Sequence, residues 1–240
     1  MTAPELSVVI AVFNERDTIE EVLRRVRDVP IAKQIIVVDD GSTDGTRELL
    51  QRLEGGGPGL VGWPERGDFV VILQDQNRGK GAAVRRGFAA ATGEFVLIQD
   101  ADLELDPADY PRLIEPLRQG IADVVYGSRF LGGARHVVFF WHYVANRLQT
   151  LVSNMLTNLN FSDLWTCYKV FRKSVLDTLD LKEDRFGFEP EVTAKLARGR
   201  WRIHEVPVSY WQRGYGEGKK IRWTDGLYGL WCILRYNLFK

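Results

Sequence analysis

Phe95-Val96-Leu97-Ile98-Gln99-Asp100-Ala101-Asp102-Leu103-Glu104 joins a short apolar run to acids at alternate positions. The apolar run reads as a buried strand. Alternation along an extended chain would send Asp100 and Asp102 out of one face, with Glu104 a further step along it. Carboxylates converging at a strand end repel one another unless a cation sits between them. Oxygen-only ligands favour a hard ion, Mg2+ or Mn2+, and leave coordination positions for phosphate oxygens. A lone Asp-x-Asp is equally the composition of a solvated acidic turn, so the surrounding chain has to decide.

Outward from that segment, strands alternate with helices. Residues 6–13 form a continuous apolar strand, after which Ile19, Val22, Leu23 and Val26 fall on one helical face. Residues 35–38 read as a second strand, with Ser42 as N-cap of a helix carrying Leu49, Leu50 and Leu53. Gly55 to Gly59 reads as a flexible loop. Further strands are expected at 69–73, 94–99 and 123–126, with a helix at 82–91 and another opened by Asp106-Pro107. The second half is less regular. It predicts a long helix around 138–159, a strand near 167–171, a helix at 190–197, an extended stretch at 201–211 and a final helix at 223–239. Unbroken apolar strands between amphipathic helices predict an α/β fold with a mostly parallel sheet covered on both faces. Ligands in such sheets bind beyond the carboxyl ends of the strands, where Asn14-Glu15, Asp39-Asp40, Asp75, Asp100 and Asp102 collect.

Composition narrows the function. Lys plus Arg and Asp plus Glu are 32 each, so overall electrostatics give nucleic-acid binding no support. Cys167 and Cys232 show neither metal-type spacing nor disulfide density, which fits a reducing, cytoplasmic setting. His136, His142 and His204 lack ligand-like grouping. The N-terminus carries no basic and apolar leader pattern, and polar residues interrupt the longest apolar candidate, residues 137–159. The expectation is a protein that is soluble or peripheral on a membrane surface. The closing stripe of Trp223, Leu227, Leu230, Trp231, Leu234 and Leu238 is either core packing or a membrane contact.

Three further motifs bear on chemistry. Asp39-Asp40-Gly41-Ser42-Thr43-Asp44-Gly45-Thr46 ends a strand and opens a helix; adjacent carboxylates point apart, so one can face a nucleobase. Helix capping accounts for the hydroxyls but leaves both aspartates unexplained. Asn77-Arg78-Gly79-Lys80-Gly81 puts two cations and backbone amides at a helix start, which suits diphosphate, although a glycine-rich turn fits as well. That turn has neither P-loop spacing nor a Gly-x-Gly-x-x-Gly. Arg213, Lys219, Lys220 and Arg222 share a Gly-rich stretch that reads as a loop able to close over a phosphorylated substrate, or as a solvated basic turn.

Together these motifs resemble glycosyltransferase family 2, and within it the polyprenyl-phosphate (dolichyl-phosphate) mannose or glucose synthases. Phe13-Asn14-Glu15, the Asp39 to Thr46 run, Asn77-x-Gly-Lys-Gly and Asp100-Ala101-Asp102 stand in the family's order. Glu205-Val206-Pro207-Val208-x-Tyr210-x-x-Arg213-x-x-Gly216-Glu217-x-Lys219 looks like that subgroup in particular. The resemblance implies a GT-A fold that binds a nucleotide-diphosphate sugar. Ala11, Phe13, Glu15, Val38 and Asp40 would surround base and ribose; Asp100, Ala101 and Asp102 would hold metal and diphosphate. Glu104 stands where the subgroup often has a glutamine ligand. Arg129, Arg213 and Lys219 match phosphate-binding cations, and Arg147 is a further acceptor-phosphate candidate. Ala11 replaces a frequent proline, and Phe188-Glu189-Pro190-Glu191 replaces a lysine-containing segment, placing Glu189 near the family's catalytic aspartate. Residues 1–212 are expected to form the catalytic domain, with 213–240 a basic loop and amphipathic helix of the same domain.

The reaction so implied is inverting transfer of a hexose, from a GDP-mannose or UDP-glucose type of donor, to a polyprenyl phosphate, assisted by Mg2+ or Mn2+. Catalysis would rest on Asp102, Arg129 and Arg213, with Glu189 as general base if the acceptor is instead a hydroxyl. A sugar nucleotidyltransferase is a rival, although Asn14-Glu15 stands where its Gly-rich loop would follow the first strand. A non-catalytic sugar-nucleotide or membrane-binding module is another.

Overall fold

A computed structural model describes residues 4–55, 68–132, 139–212 and 223–239. β1 (Leu6–Val12) leads to α1 (Ile19–Asp28), and β2 (Lys33–Asp39) to α2 (Thr46–Glu54). β3 (Phe69–Leu73) leads to α3 (Lys80–Ala90), and β4 (Phe95–Asp100) runs through a 3-10 turn at Pro107–Asp109 into α4 (Tyr110–Arg118). β5 (Val124–Ser128), α5 (Phe140–Thr157), β6 (Lys169–Arg172), α6 (Lys173–Leu176), α7 (Phe188–Gly199), β7 (Ile203–Pro207) and α8 (Trp223–Leu238) follow.

The strands join one sheet in the order β3-β2-β1-β4-β6-β5-β7. All pairings are parallel except those of β6, which runs antiparallel to both β4 and β5. The expected mostly parallel α/β sheet is therefore present. The central strands β1, β2 and β4 bury nearly every side chain because helices cover both faces, and that is why they read as unbroken apolar runs, while the edge strands β3 and β7 are half-buried. Ile19, Val22, Leu23 and Val26 are all buried, so the helical period identified the inward face of α1. Glu20 and Glu21 in its first turn and Arg25 and Arg27 in its last complement the helix dipole.

From β1 the chain runs to β2 on one side and from β4 past β6 to β5 on the other, so the strand order reverses between β1 and β4. Their carboxyl ends border the crevice in which open α/β sheets hold ligands. Register aligns Val38, Ala11 and Asp100 in one row across β2, β1 and β4.

One expected cap differs. Ser42 is not the N-cap of α2; Gly45 occupies that position with φ of 94°. The Ser42 hydroxyl instead accepts the Asn14 N–H at 2.9 Å, and the Ser42 N–H points at the Asp39 carboxylate. The loop after β2 is longer than the sequence reading allowed, and it ties β1 to β2 before the helix begins. Residues 56–67, which include most of the expected glycine loop, lie outside the described residues.

Candidate active site

Gln99 and Asp100 end β4 and point to opposite faces. The buried Gln99 side-chain oxygen accepts hydrogen bonds from the Tyr110 and Tyr168 hydroxyls, each at 2.7 Å. With Gln99 anchored in that face, Asp100 must project from the other. There it meets the Lys80 ammonium at 2.8 Å, and the same ammonium lies 3.6 Å from Glu189. Lys80 is the first residue of α3 and Glu189 stands in the first turn of α7, so two helix N-termini converge on the group. Burial works against the Lys80 charge, but Asp100, with Cys167 and Glu189, outweighs it and raises the Lys80 pKa well above the ordinary lysine value. Burial likewise opposes ionisation of Asp100, and Lys80 more than compensates, holding its carboxyl below the usual range. Glu189 is only 4% exposed, and its Oε2 has no hydrogen-bond partner among the described residues.

Both aspartates of the acidic pair after β2 have structural work. Asp39 is buried and ion-paired with Arg47 at 2.9 Å. Asp40 accepts the backbone N–H groups of Arg78 and Gly79 and the Gln74 side-chain amide, all at 2.7 Å. Burial raises the Asp40 carboxyl above its usual range despite the two backbone donors. Asp40 thus clips the turn that delivers Lys80. The fit is close: a Cβ on Gly41, whose φ is +77°, would sit 2.7 Å from the Asn77 nitrogen. Capping alone did not predict this, because the partners come from a separate loop.

Arg129, just past β5, donates Nε and Nη2 to Asp163 at 2.7 and 2.8 Å, a bidentate pair. Its guanidinium lies over the Tyr210 ring, 5.1 Å from the centroid. Burial acts against the charge, but Asp163 dominates and raises the Arg129 pKa. Arg147 on α5 donates to the Ser162 carbonyl at 3.1 Å, and the Ser162 hydroxyl meets that of Ser128, next to Arg129, at 2.6 Å. On the β1 side, the Thr18 hydroxyl bridges the ends of two strands, 2.7 Å from the Ala101 carbonyl and 2.9 Å from the Glu15 carboxylate. Phe13 sits in the same partly buried loop.

The expected acidic triad is not assembled. β4 ends at Asp100, and Leu103 adopts φ of 61°, so the alternation assumed for Glu104 fails beyond the strand. Asp102 accepts the Glu104 N–H at 3.1 Å in a local turn, while the Glu104 carboxylate receives the Tyr210 hydroxyl at 3.0 Å. Among the described residues, no three His, Cys, Asp or Glu side chains gather as a cation cage. Asp100 and Asp102 are oxygen donors, the type that suits a hard cation. Arg213 and Lys219 lie outside the described residues.

The sequence marks Lys80 as a cation suited to diphosphate but gives no sign of its pairing with Asp100, nor of Asp163. Cys167, beside Asp100, is buried; burial first and Asp100 next push its thiol well up, which suits packing and not nucleophilic work.

The profile of the family described as "Glycosyl transferase family 2" matches residues 7–180. This chain belongs to that family. Its curated relatives include undecaprenyl-phosphate 4-deoxy-4-formamido-L-arabinose transferases from Pseudomonas aeruginosa, 32% identical over 89% of this chain, and Pseudomonas fluorescens, 29% identical over 89%. The chain spans 60% and 59% of the length of these two relatives. Among solved structures, glucosyl-3-phosphoglycerate synthase from Mycobacterium tuberculosis, in complex with Mn2+, UDP and phosphoglyceric acid, superposes with a TM-score of 0.73. That match has 19% identity and covers 99% of this chain and 80% of the synthase chain. At that identity the likeness concerns the fold, which is GT-A in this family 2 member as in its structural neighbours.

Proposed function

We infer that this family 2 member transfers a hexose, with inversion, from a nucleotide-diphosphate sugar to a polyprenyl phosphate at the cytoplasmic face of a membrane. The observation that carries this reading is the Lys80–Asp100 pair at the crossover edge of the sheet, with the fixed Arg129 fork beyond β5. An anionic donor and an anionic acceptor need cations between them, and these are the cations that the fold positions. The curated relatives, named for undecaprenyl phosphate, support the acceptor class.

Val38, Ala11, Phe13, Glu15 and Asp40 would border base and ribose at the ends of β1 and β2. Asp100, Ala101 and Asp102 would face the diphosphate, and a Mg2+ or Mn2+ ion held by Asp100 and Asp102 would neutralise charge on the departing diphosphate. Glu104, held by Tyr210, is left out of that pair. Lys80 would share its ammonium between Asp100 and the diphosphate oxygens, without the cost of bringing a new charge into the site. Arg129, oriented by Asp163, would present its remaining edge to phosphate, with Arg147, Arg213 and Lys219 on the acceptor side. A phosphate acceptor is already anionic, so no general base is required.

A second reading has its own support in the buried, unpartnered Glu189 Oε2. A carboxylate in that state near Asp100 suits a general base for a hydroxyl acceptor. Transfer of labelled sugar from UDP-glucose and GDP-mannose to polyprenyl phosphate, scored as solvent-extractable product, separates the two. Glu189→Gln should leave lipid-phosphate transfer within about threefold of wild type. A loss of about 10²-fold or more would favour base-assisted transfer to a hydroxyl.

A further inference from the structure

Arg129 and Arg147 both trace back to one carboxylate on β7, that of Glu205. Glu205 stands opposite Tyr126 in the β5–β7 register and reaches the segment that precedes β6. Its Oε1 accepts the Ser162 N–H at 3.0 Å, the Ser162 hydroxyl at 3.1 Å and the Asp163 N–H at 3.2 Å. Its Oε2 shares the Ser162 N–H at 2.9 Å. One residue earlier, the Asn154 side chain of α5 binds both the N–H and the carbonyl of Phe161, whose ring stacks on Tyr126 with centroids 4.7 Å apart. Residues 161–163 are therefore fixed in main chain as well as side chain.

A trans peptide points its C=O opposite to its N–H. With the Asp163 N–H held by Glu205, the Ser162 carbonyl faces the other way, where it accepts from Arg147 at 3.1 Å. The same peptide carries the Asp163 carboxylate to the Arg129 fork. The Ser162 hydroxyl gives its proton to Glu205, so in the 2.6 Å contact between the two serines Ser128 is the donor. Ser128 in turn accepts the Phe130 N–H at 3.1 Å, which fixes the chain on the far side of Arg129. Burial raises the Glu205 carboxyl above its ordinary range, and the Asp163 charge adds to this against the pull of the Ser162 and Asp163 donors. Three donors converging on one side chain suit a carboxylate better than an amide, which offers a single accepting oxygen.

We propose that Glu205 is a positioning residue for the acceptor phosphate: it orients Arg129 through Asp163 and aims Arg147 through the Ser162 carbonyl, so that two guanidiniums anchored one residue apart serve one phosphate monoester. The proposal rests on the reading of a phosphate acceptor and assigns the setting of both cations to a single carboxylate. Each guanidinium carries five N–H donors, more than the contacts with Asp163 and Ser162 use, so donors remain for phosphate oxygens. Holding two long side chains in place beforehand spares the acceptor the entropy of ordering them on binding. Glu205 acts through residues 162 and 163, so its loss should misaim the cations without removing them.

The test is Glu205→Gln in the full chain, which keeps one accepting oxygen and sets an amide N–H against the Ser162 N–H. The probe is geranyl phosphate, a water-soluble prenyl phosphate, with binding followed by calorimetry and transfer followed from UDP-glucose and GDP-mannose. Glu205→Gln should weaken geranyl phosphate binding and raise its KM by about tenfold or more, while the donor KM stays within about twofold of wild type. Combined with Arg129→Lys, which keeps a charge for Asp163 but loses the fork, Glu205→Gln should cost only about threefold more. Should Glu205→Gln fail to fold, Ser162→Ala, which cuts the link from Glu205 to Ser128, should raise the acceptor KM by about threefold with the donor KM unchanged. The proposal is overturned if wild type binds no geranyl phosphate, if neither variant alters that binding, if donor and acceptor KM rise together, or if the full loss persists beside Arg129→Lys. Transfer to geranyl phosphate with an unchanged acceptor KM in Glu205→Gln would sink the positioning and spare the activity. Weakened geranyl phosphate binding in Glu205→Gln, with no transfer by wild type, would spare the positioning and sink the activity.

Discussion

Asp163 lies 34 residues from Arg129 in sequence yet receives its Nε, Nη2 and backbone N–H, with a further bond from Asn146. Burial alone would raise its carboxyl, but Arg129 outweighs that and keeps it below the ordinary value. A depressed carboxyl contributes stability that is complete above its unfolded value near 4 and lost as pH falls through the folded value. Asp163→Asn should cost about 3–5 kcal/mol at neutral pH, since it leaves a buried guanidinium unpaired. Urea midpoints measured across acidic pH should show the gap from wild type narrowing as wild-type Asp163 protonates. The basic member of this pair was legible through the family resemblance as a phosphate-binding cation, whereas its acid was not. The two meet through the pairing of β5 with β6 and the loop before β6, and no local pattern encodes that contact. Asp39 and Asp40 teach the converse: the motif stood out, but their partners Arg47, Gly79 and Gln74 became apparent only in space.

Glu183 ties α8 to the body of the protein alongside apolar packing. That buried carboxylate accepts the Tyr228 and Tyr236 hydroxyls, both at 2.7 Å, and pairs with Arg235 at 3.3 Å. Cys232, on the same helix and fully buried, has its thiol pushed up to about 11 by burial and then by Glu183. Glu183→Gln should both loosen the helix and remove the opposing charge, so a thiol reagent at neutral pH should modify Cys232 about tenfold faster than in wild type. Cys167, buried beside Asp100, is the internal control and should keep its slow rate. Unchanged Cys232 labelling would mean that apolar packing alone secures the helix. The amphipathic pattern of α8 was visible in sequence. The inward turn of Asn146, Thr150 and Ser153 on α5 was not, because they look like solvent-facing residues until Asp163 and Leu164 are placed against them.

At the scale of the whole molecule, the cation site proposed at Asp100 and Asp102 makes cation dependence separable from folding. Removal of divalent ions with a chelator should abolish sugar transfer, and Mg2+ or Mn2+ should restore it, while the thermal midpoint without donor shifts by less than about 2 °C. That small shift is expected because Asp100 is already paired with Lys80, so the apo protein has little bare repulsion for a cation to relieve. A large loss of stability on chelation would point to a structural ion instead. By itself the sequence determined the alternation of buried strands and amphipathic helices, the parallel sheet and the edge at which acidic residues collect. Those features depend on periodicity and neighbouring residues, which a linear chain displays. Tertiary structure alone decided that Glu104 leaves the acidic group for Tyr210, that Lys80 completes it, that Asp163 fixes Arg129 and that α5 faces outward with its apolar side. Each of these is a contact between distant segments, fixed by strand register and burial, and so has no signature in local sequence.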